Sequence, residues 1–379
     1  MGKEINLYLD NSIFTFQKAG GVSVYWYELL KRLFNENHHF DTTLIEMCEQ
    51  SINIFGKNLN YSSVSILDEN SLFPKFQRYL PFAKKIKPKS IYHSSYFRTS
   101  YQKDIINIIT IYDFAHDLGF SSGFPKKYAN IWQKKQGILN ADGIICISEN
   151  TKVDLLKLYP QIDEDKIAVI HLAVGDEFKI LYTACEIREI NESNLEDVNK
   201  PFIVYIGARV SYKNFGVAVE TLKVLNDYNL IIVGGGELSN KEYQHLQQLL
   251  PNRFLHLNNI HSAQLNALYN KAFCLIYPSR YEGFGIPLIE AMKSGCPVIT
   301  TNYASIPEVV GQAGLMVDKI VADSFIKKIK YLENPANRNT VINKGVEQAL
   351  LFSWDKCYKE TVSFYQKIYD KKFDKDNFV

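Results

Sequence analysis

The chain lacks several features that would settle its class at once. Of its 379 residues only six are cysteine (Cys48, Cys146, Cys185, Cys274, Cys296 and Cys357), and no two stand as a C-x-x-C pair. That spacing excludes a disulfide scaffold and fits reduced, mostly buried thiols in a cytoplasmic protein. No stretch approaches 18 uninterrupted apolar residues, so no membrane-spanning helix is expected. The opening Met-Gly-Lys-Glu runs directly into Ile5–Leu9, without the basic region and long apolar run of a signal peptide. An excess of one charge is missing too: 43 Lys and Arg against 41 Asp and Glu leave a net charge of +2. No strong field for a polyanion follows, and nucleic-acid binding is not expected. A G-x-G-x-x-G fingerprint is absent from the first strand of either half, which argues against a dinucleotide oxidoreductase.

What is present is a globular composition, with 46% hydrophobic and 22% charged residues, in a length suited to two domains. Short apolar runs alternate with amphipathic segments. Ile5–Leu9, Ile105–Tyr112, Gly143–Ser148, Ile167–Leu172, Phe202–Ile206, Leu230–Val233, Phe273–Tyr277 and Val298–Thr300 read as buried parallel strands. Helical periodicity lies between them, as in Val22–Phe34, Lys126–Leu139, Phe215–Leu225 and Pro287–Lys293. This alternation predicts an α/β fold with doubly wound parallel sheets. The pattern breaks once, in the acid-rich stretch Asp176–Lys200. The expected organisation is a Rossmann-like domain over 1–180, a linker over 181–200 and a second Rossmann-like domain over 201–354. A C-terminal helix over about 355–379 is expected to return to the first domain. A ligand is expected in a central cleft between the domains, outside the carboxyl ends of the strands.

The most informative stretch is Arg280-Tyr-Glu-Gly-Phe-Gly-Ile-Pro-Leu-Ile-Glu290. Pro287 suits the first turn of a helix. Gly283 and Gly285 let backbone approach a ligand, and the free N–H groups of the helix start favour an anion such as phosphate. Glu282 and Glu290, eight residues apart, would flank that ligand. A second anion site is expected at Gly207-Ala-Arg209-Val-Ser-Tyr-Lys213-Asn214, where two cations head a helix that on its own favours anions. Gly20-Gly21 before the first helix is a weaker example of the same kind. Asp163-Glu-Asp165 is a literal Asp-x-Asp, read as a solvated turn with no metal.

Together these stretches resemble the retaining glycosyltransferases of family 4, which have the GT-B fold. The carrying residues are Glu282 through Thr300, Ser305-Ile-Pro-Glu308-Val-Val-Gly311 and Ala313-Gly314. Gly20-Gly21-Val22, Gly207-x-Arg209-x-x-x-Lys213-Asn214, Ala141-Asp142 through Ser148 and Phe352-Ser-Trp354 support them. The resemblance implies that Arg209 and Lys213 meet the diphosphate of a nucleoside-diphosphate sugar. It implies that Gly283, Phe284, Gly285 and Ile286 contact donor phosphate or sugar by their backbone. Glu290 would bind the ribose, Glu282 the sugar hydroxyls, and Asn258 to Ile260 the base. It further implies no metal, no cofactor, and a glycan or lipid-linked glycan acceptor in bacterial surface-polysaccharide assembly, with a mannose-type hexose transferred. The family pairs His with Asp after the strand that ends here in Tyr112-Asp113. Asp113 matches and Tyr112 departs.

On the acceptor side, residues 73–89 carry Lys75, Arg78, Lys84, Lys85, Lys87 and Lys89 among aromatics and no acid. That pattern fits peripheral contact with an anionic membrane, and equally a solvated helix face or a nucleic-acid contact. His93 reads either as an acceptor-side group or as a satisfied core imidazole. The alternatives to a transferase are a non-catalytic nucleotide-sugar-binding protein and a GT-B epimerase or phosphorylase.

Overall fold

The structure, a computed structural model, describes residues 5–35, 40–47, 52–61, 64–69, 74–120, 126–182 and 200–373. They form two units. The first holds the described residues up to Leu172 together with those from Trp354 onward, and the second runs from Ala173 to Ser353.

In the first unit β1 (Ile5–Asp10), β2 (Phe40–Glu46), β3 (Ser65–Asp68), β4 (Ile91–Ser94), β5 (Ile106–Ile111), β6 (Gly143–Cys146) and β7 (Ile167–Val169) make one sheet. Its order is β3-β2-β1-β4-β5-β6-β7, and every pair is parallel. In the second unit β8 (Phe202–Ile206), β9 (Asn229–Val233), β10 (Phe254–Leu257), β11 (Cys274–Tyr277), β12 (Val298–Thr301) and β13 (Leu315–Val317) are ordered β10-β9-β8-β11-β12-β13, again all parallel. Both sheets are doubly wound, as the alternating pattern predicts. Every residue of β5 is buried and four of the six are isoleucine, the composition of a strand covered on both faces. In each sheet the strand order reverses once, between β1 and β4 and between β8 and β11. A crevice opens at such a reversal, outside the strand ends.

The chain changes unit ahead of residue 181, where composition placed the linker. Residues just after Ala173 hold to the second unit. The Lys179 N–H donates to Asn266 Oδ1 (3.1 Å) and the Leu181 N–H to Asn270 Oδ1 (2.8 Å). Most of the expected linker, residues 183–199, lies outside the described residues. The helix Trp354–Phe373 belongs to the first unit. Its Tyr365 hydroxyl is 2.6 Å from His93 Nδ1, and its Lys372 ammonium is 2.8 Å from Asp142 Oδ1. Gly143 makes room for it, since a Cβ there would lie 3.1 Å from the Phe364 ring. Residues 374–379, the end of the helix as the sequence suggested it, lie outside the described residues.

Candidate functional site

At the reversal of the second sheet, two loops meet. The loop after β8 passes Gly207, makes a 3-10 turn over Ser211–Lys213 and enters the helix Phe215–Val224 through Asn214. Asn214 is left-handed (φ +48°), a conformation that asparagine tolerates better than most residues. Its amide donates to the Tyr212 carbonyl (3.1 Å) and, across the crevice, to the Pro278 carbonyl (2.9 Å). The Arg280 N–H returns a bond to the Tyr212 carbonyl (2.8 Å). So stitched, the loops bring Lys213 Nζ to 3.0 Å from Glu282 Oε1 and 3.3 Å from Oε2. The Lys213 side chain crosses Gly207, and its ammonium lies 5.7 Å from the Tyr277 ring centre. The buried Tyr277 hydroxyl hydrogen-bonds Glu282, and burial pushes its ionisation well up.

The turn bearing Glu282 is held from behind. Ser305 Oγ donates to the Glu282 and Phe284 carbonyls (2.8 and 3.0 Å). Gly283 lies within this turn, and the Phe284 side chain is buried edge-on against Phe352. Gly285 (φ +105°) caps the helix Ile286–Lys293, with Ile286 at its start and Pro287 in its first turn. In that turn Pro287 has no N–H and the Leu288 N–H donates to the Gly285 carbonyl (2.9 Å), which leaves the Ile286 N–H and the positive end of the helix to favour an anion. Glu290 lies further along the same helix and accepts from the Tyr269 hydroxyl (3.2 Å). It keeps only part of its surface in water, and surrounding protein pushes its carboxyl up to about 7, with the charge of Glu177 adding to the effect.

Arg209 and the outer strands form a second cluster. The guanidinium is directed at Glu242 and at carbonyls of the loop after β9, where Gly234, Gly235 and Gly236 all have positive φ. After β10, the Asn258 amide donates to Glu237 Oε1 (2.9 Å), and Ile260 lies before the helix Ser262–Lys271. Among the sequence-predicted residues of the second unit, Lys213 and Glu282 are in direct contact. Arg209 and Asn258 are drawn toward the glycine loop. Asn214, Tyr277, Ser305, Tyr269 and Glu242 carry no assigned role in the sequence reading, although the S-x-x-E capping box of Ser239 and Glu242 is visible there.

In the first unit, Gly20 and Gly21 open the helix Gly21–Asn35. Ser23 Oγ donates to the Gly20 carbonyl (2.9 Å), and the Gln17 side chain accepts from the Ser23 N–H (3.2 Å). Asp113 follows β5, and its carboxylate accepts from the Ala115 N–H (2.9 Å) in a side-chain-closed turn. Lys134 fixes that turn from the helix Lys126–Asn140, reaching the Asp113 carbonyl (2.8 Å) and Asp117 Oδ2 (2.6 Å). Tyr112 is turned into the core, edge-on to Tyr25 with its hydroxyl 3.4 Å from the Ser95 carbonyl. His93 is a satisfied core imidazole. It is fully buried between Tyr365 and Thr110 Oγ1, and burial holds its ionisation down at about 3. Asp163 caps the 3-10 turn Glu164–Lys166, and the flanking acids pair with Lys152 and Lys371.

A lysine beside a carboxylate, at the N-terminal end of a helix and at a strand reversal, suits a ligand that presents both negative charge and hydroxyls. Comparison with known proteins agrees. Residues 19–178 match the model described as Glycosyltransferase Family 4, and residues 186–348 match Glycosyl transferases group 1. O-antigen chain mannosyltransferase B of Escherichia coli is 27% identical over 252 residues, covering 64% of this chain and 65% of that protein. O-antigen chain mannosyltransferase RfbU of Salmonella typhimurium is 29% identical over 242 residues, covering 61% and 62%. The matched region thus spans a little under two thirds of these relatives' own length. In fold, the chain is similar to the sucrose-phosphate synthase of Thermosynechococcus elongatus, with a TM-score of 0.72 at 19% identity, over 97% of this chain and 100% of that one. With glycosyltransferase models matching both halves in sequence and a GT-B relative matching nearly the whole chain in fold, this protein belongs to the family 4 glycosyltransferases.

Proposed function

We propose that the chain transfers a hexose, mannose or a similar sugar, from a nucleoside-diphosphate sugar to a glycan or lipid-linked glycan acceptor in surface-polysaccharide assembly. Transfer would proceed with retention and without a metal. The observation that carries this reading is the Lys213–Glu282 pair beside the amide-bearing start of the helix Ile286–Lys293. A departing nucleoside diphosphate needs its growing negative charge stabilised more than it needs a strong acid, and an ammonium with preset amides supplies that. Glu282 then takes sugar hydroxyls, Glu290 the ribose, and the backbone from Gly283 to Ile286 the phosphate. Asn258 and Ile260 lie at the base, with Gly20, Gly21 and Asp113 serving the donor from the first unit. The names of the mannosyltransferase relatives support the sugar and the class of acceptor.

The test is calorimetric binding of UDP, GDP, ADP, TDP and NAD to the wild type and to Glu290→Ala. One nucleoside diphosphate binding the wild type, with about ten-fold weaker binding to the variant, is the expected result. Binding of NAD alone overturns the reading. The burial of Tyr112 at the family's histidine position favours, as a second reading, a donor-binding protein without transfer. Acceptor-dependent release of the nucleotide separates the two, and acceptor-independent release points to an epimerase.

The basic stretch 73–89 would rest on the anionic inner face of the membrane. Phe76 and Leu80 there are exposed, as are Lys84 and Lys85. Leu80 lines one groove with the exposed rings of Tyr101 and Trp132. Exposed rings at the groove and exposed lysines along the same stretch suit the lipid headgroup layer. Replacing Lys84, Lys85 and Lys87 by Gln should weaken binding to phosphatidylglycerol vesicles, and unchanged binding removes the contact. No helix among the described residues is long and apolar enough to cross a membrane.

A further inference from the structure

The family resemblance gives Arg209 to the donor diphosphate, but the structure engages its guanidinium elsewhere. Nε donates to Glu242 Oε1 (2.9 Å). Nη1 donates to the Gly234 carbonyl (3.0 Å) and the Gly236 carbonyl (3.3 Å), and Nη2 to the Gly236 carbonyl (3.2 Å) and the Glu237 carbonyl (2.9 Å). A guanidinium has five N–H donors, so protein oxygens absorb the whole set. The side chain is only 6% exposed.

The loop around it is shaped to match. Gly234, Gly235 and Gly236 have φ of +76°, +81° and +77° in succession, a path that side chains bearing a Cβ rarely follow. A Cβ on Gly235 would lie 2.6 Å from Arg209 Nη1. Each carbonyl turned toward the guanidinium sends the next N–H the opposite way, because the peptide is planar and trans. Arg209, joined at the Gly234 carbonyl by His256 Nε2 (3.1 Å), therefore sets where the amides of Gly235, Glu237 and Leu238 point, at the carboxyl end of β9.

Glu242 is the fixed counter-ion of this arrangement and is itself held. It is the acid of the capping box that starts the helix Asn240–Leu249. The Ser239 hydroxyl and N–H draw its carboxyl down to about 2, with Arg209 adding to the effect. Lys213, by contrast, has its ammonium at the crevice between β8 and β11, against Glu282.

We infer that Arg209 is a positioning residue. Clamped by Glu242, it moulds the Gly234–Glu237 loop beside the donor site, and the donor's diphosphate is met by Lys213 and the helix amides. This rests on the proposed donor site for its consequence, while the clamp itself can be measured without any ligand.

The experiment has two arms on the intact protein. In the first, backbone amide order parameters of residues 235–238 are followed by NMR. Arg209→Met, Arg209→Lys and Glu242→Gln should each lower them by about 0.2 or more from the rigid-backbone range, from loss of charge-assisted bonds to the loop carbonyls. Lysine should not rescue, because a compact ammonium cannot fork across several carbonyls. Glutamine at 242 preserves the capping box while removing the charge. Ser239→Ala keeps the ion pair and should leave the loop rigid. Unchanged order parameters in Glu242→Gln and Arg209→Lys overturn the inference.

The second arm compares a nucleoside diphosphate (UDP or GDP, whichever binds the wild type) with its nucleoside. Lys213→Ala should abolish the preference for the diphosphate, whereas Arg209→Met should leave that ratio within about two-fold. A ratio lost equally in both variants returns Arg209 to the diphosphate and overturns the inference. If the wild type binds no nucleotide, the donor reading fails, and the first arm still decides the role of Arg209.

Discussion

At Gly235 an added Cβ would also lie 2.8 Å from the Gly207 carbonyl oxygen, so the loops after β8 and β9 touch there, backbone to backbone. Gly235→Ala should destabilise the second unit by about 2 kcal/mol or more, from left-handed strain and displaced backbone together, read as a lower urea midpoint. Glu290 gives a prediction of opposite kind. Its carboxyl is raised to about 7 in the folded protein, above its ordinary value of 4.5. The native state therefore binds the proton more tightly, and this contribution to stability is full below about pH 4.5 and is lost as pH rises through 7. Glu290→Gln, always neutral, should match the wild type near pH 4.5 and exceed it by about 2 kcal/mol at pH 8, allowing for partial access of water. Equal pH dependence of the two unfolding midpoints would show that the carboxylate ionises freely in the fold. The motif containing Glu282 and Glu290 was readable from residue type and spacing. The inward turn of Tyr112 was not, because it depends on Tyr25 and the Ser95 carbonyl, both distant in sequence.

Elements were legible where burial made their composition uniform. Strands β5, β8, β9 and β11 are almost wholly buried, and their apolar runs mark them in the sequence. Strands β2, β3, β4, β10 and the three-residue β13 are not among the apolar runs that the sequence shows. β2 is interrupted by Asp41, Thr42 and Thr43, β3 is a largely exposed edge, and β4 and β10 are four residues long with a histidine inside each. The helix Pro335–Ala349 carries no clear apolar period because its sequence is polar and contains Gly345, yet it packs Gly345 against Met292 of the helix bearing Glu290. The helix Lys126–Asn140 was legible from its periodicity, but its role in anchoring the Asp113 turn was not. The Lys134–Asp117 pair it contributes is nearly dry, with side chains 4% and 5% exposed, and the ammonium lies 4.8 Å from the Phe114 ring centre. Lys134→Met should cost about 3 kcal/mol by leaving Asp117 buried and uncompensated, and adding Asp117→Asn should recover much of it. Thermal melts of the two variants check this. Failure of the second change to rescue would place the cost in the Asp113 carbonyl contact instead.

On the scale of the molecule, the first unit is made from two distant parts of the chain. Trp354 packs on Tyr25, Arg32 reaches Asp355 (2.7 Å), and Lys372 pairs with Asp142. Ending the chain at Ser353 should leave the second unit folded and able to bind a nucleoside diphosphate. The first unit should then lose protection throughout its sheet, as hydrogen exchange would report. A first unit that stays protected would make its final helix an accessory.

The same layout sets a timetable for synthesis. Domains generally fold as units while the ribosome is still working, at roughly 5–20 residues per second. The second unit emerges whole and can fold once Ser353 has cleared the exit tunnel. The first began earlier, but it waits with His93 and the Gly143 notch uncovered until the helix through Phe373 arrives. The unit begun first is thus completed last, and a growing chain spends about 10–40 seconds with its earlier hydrophobic surface open to chaperones.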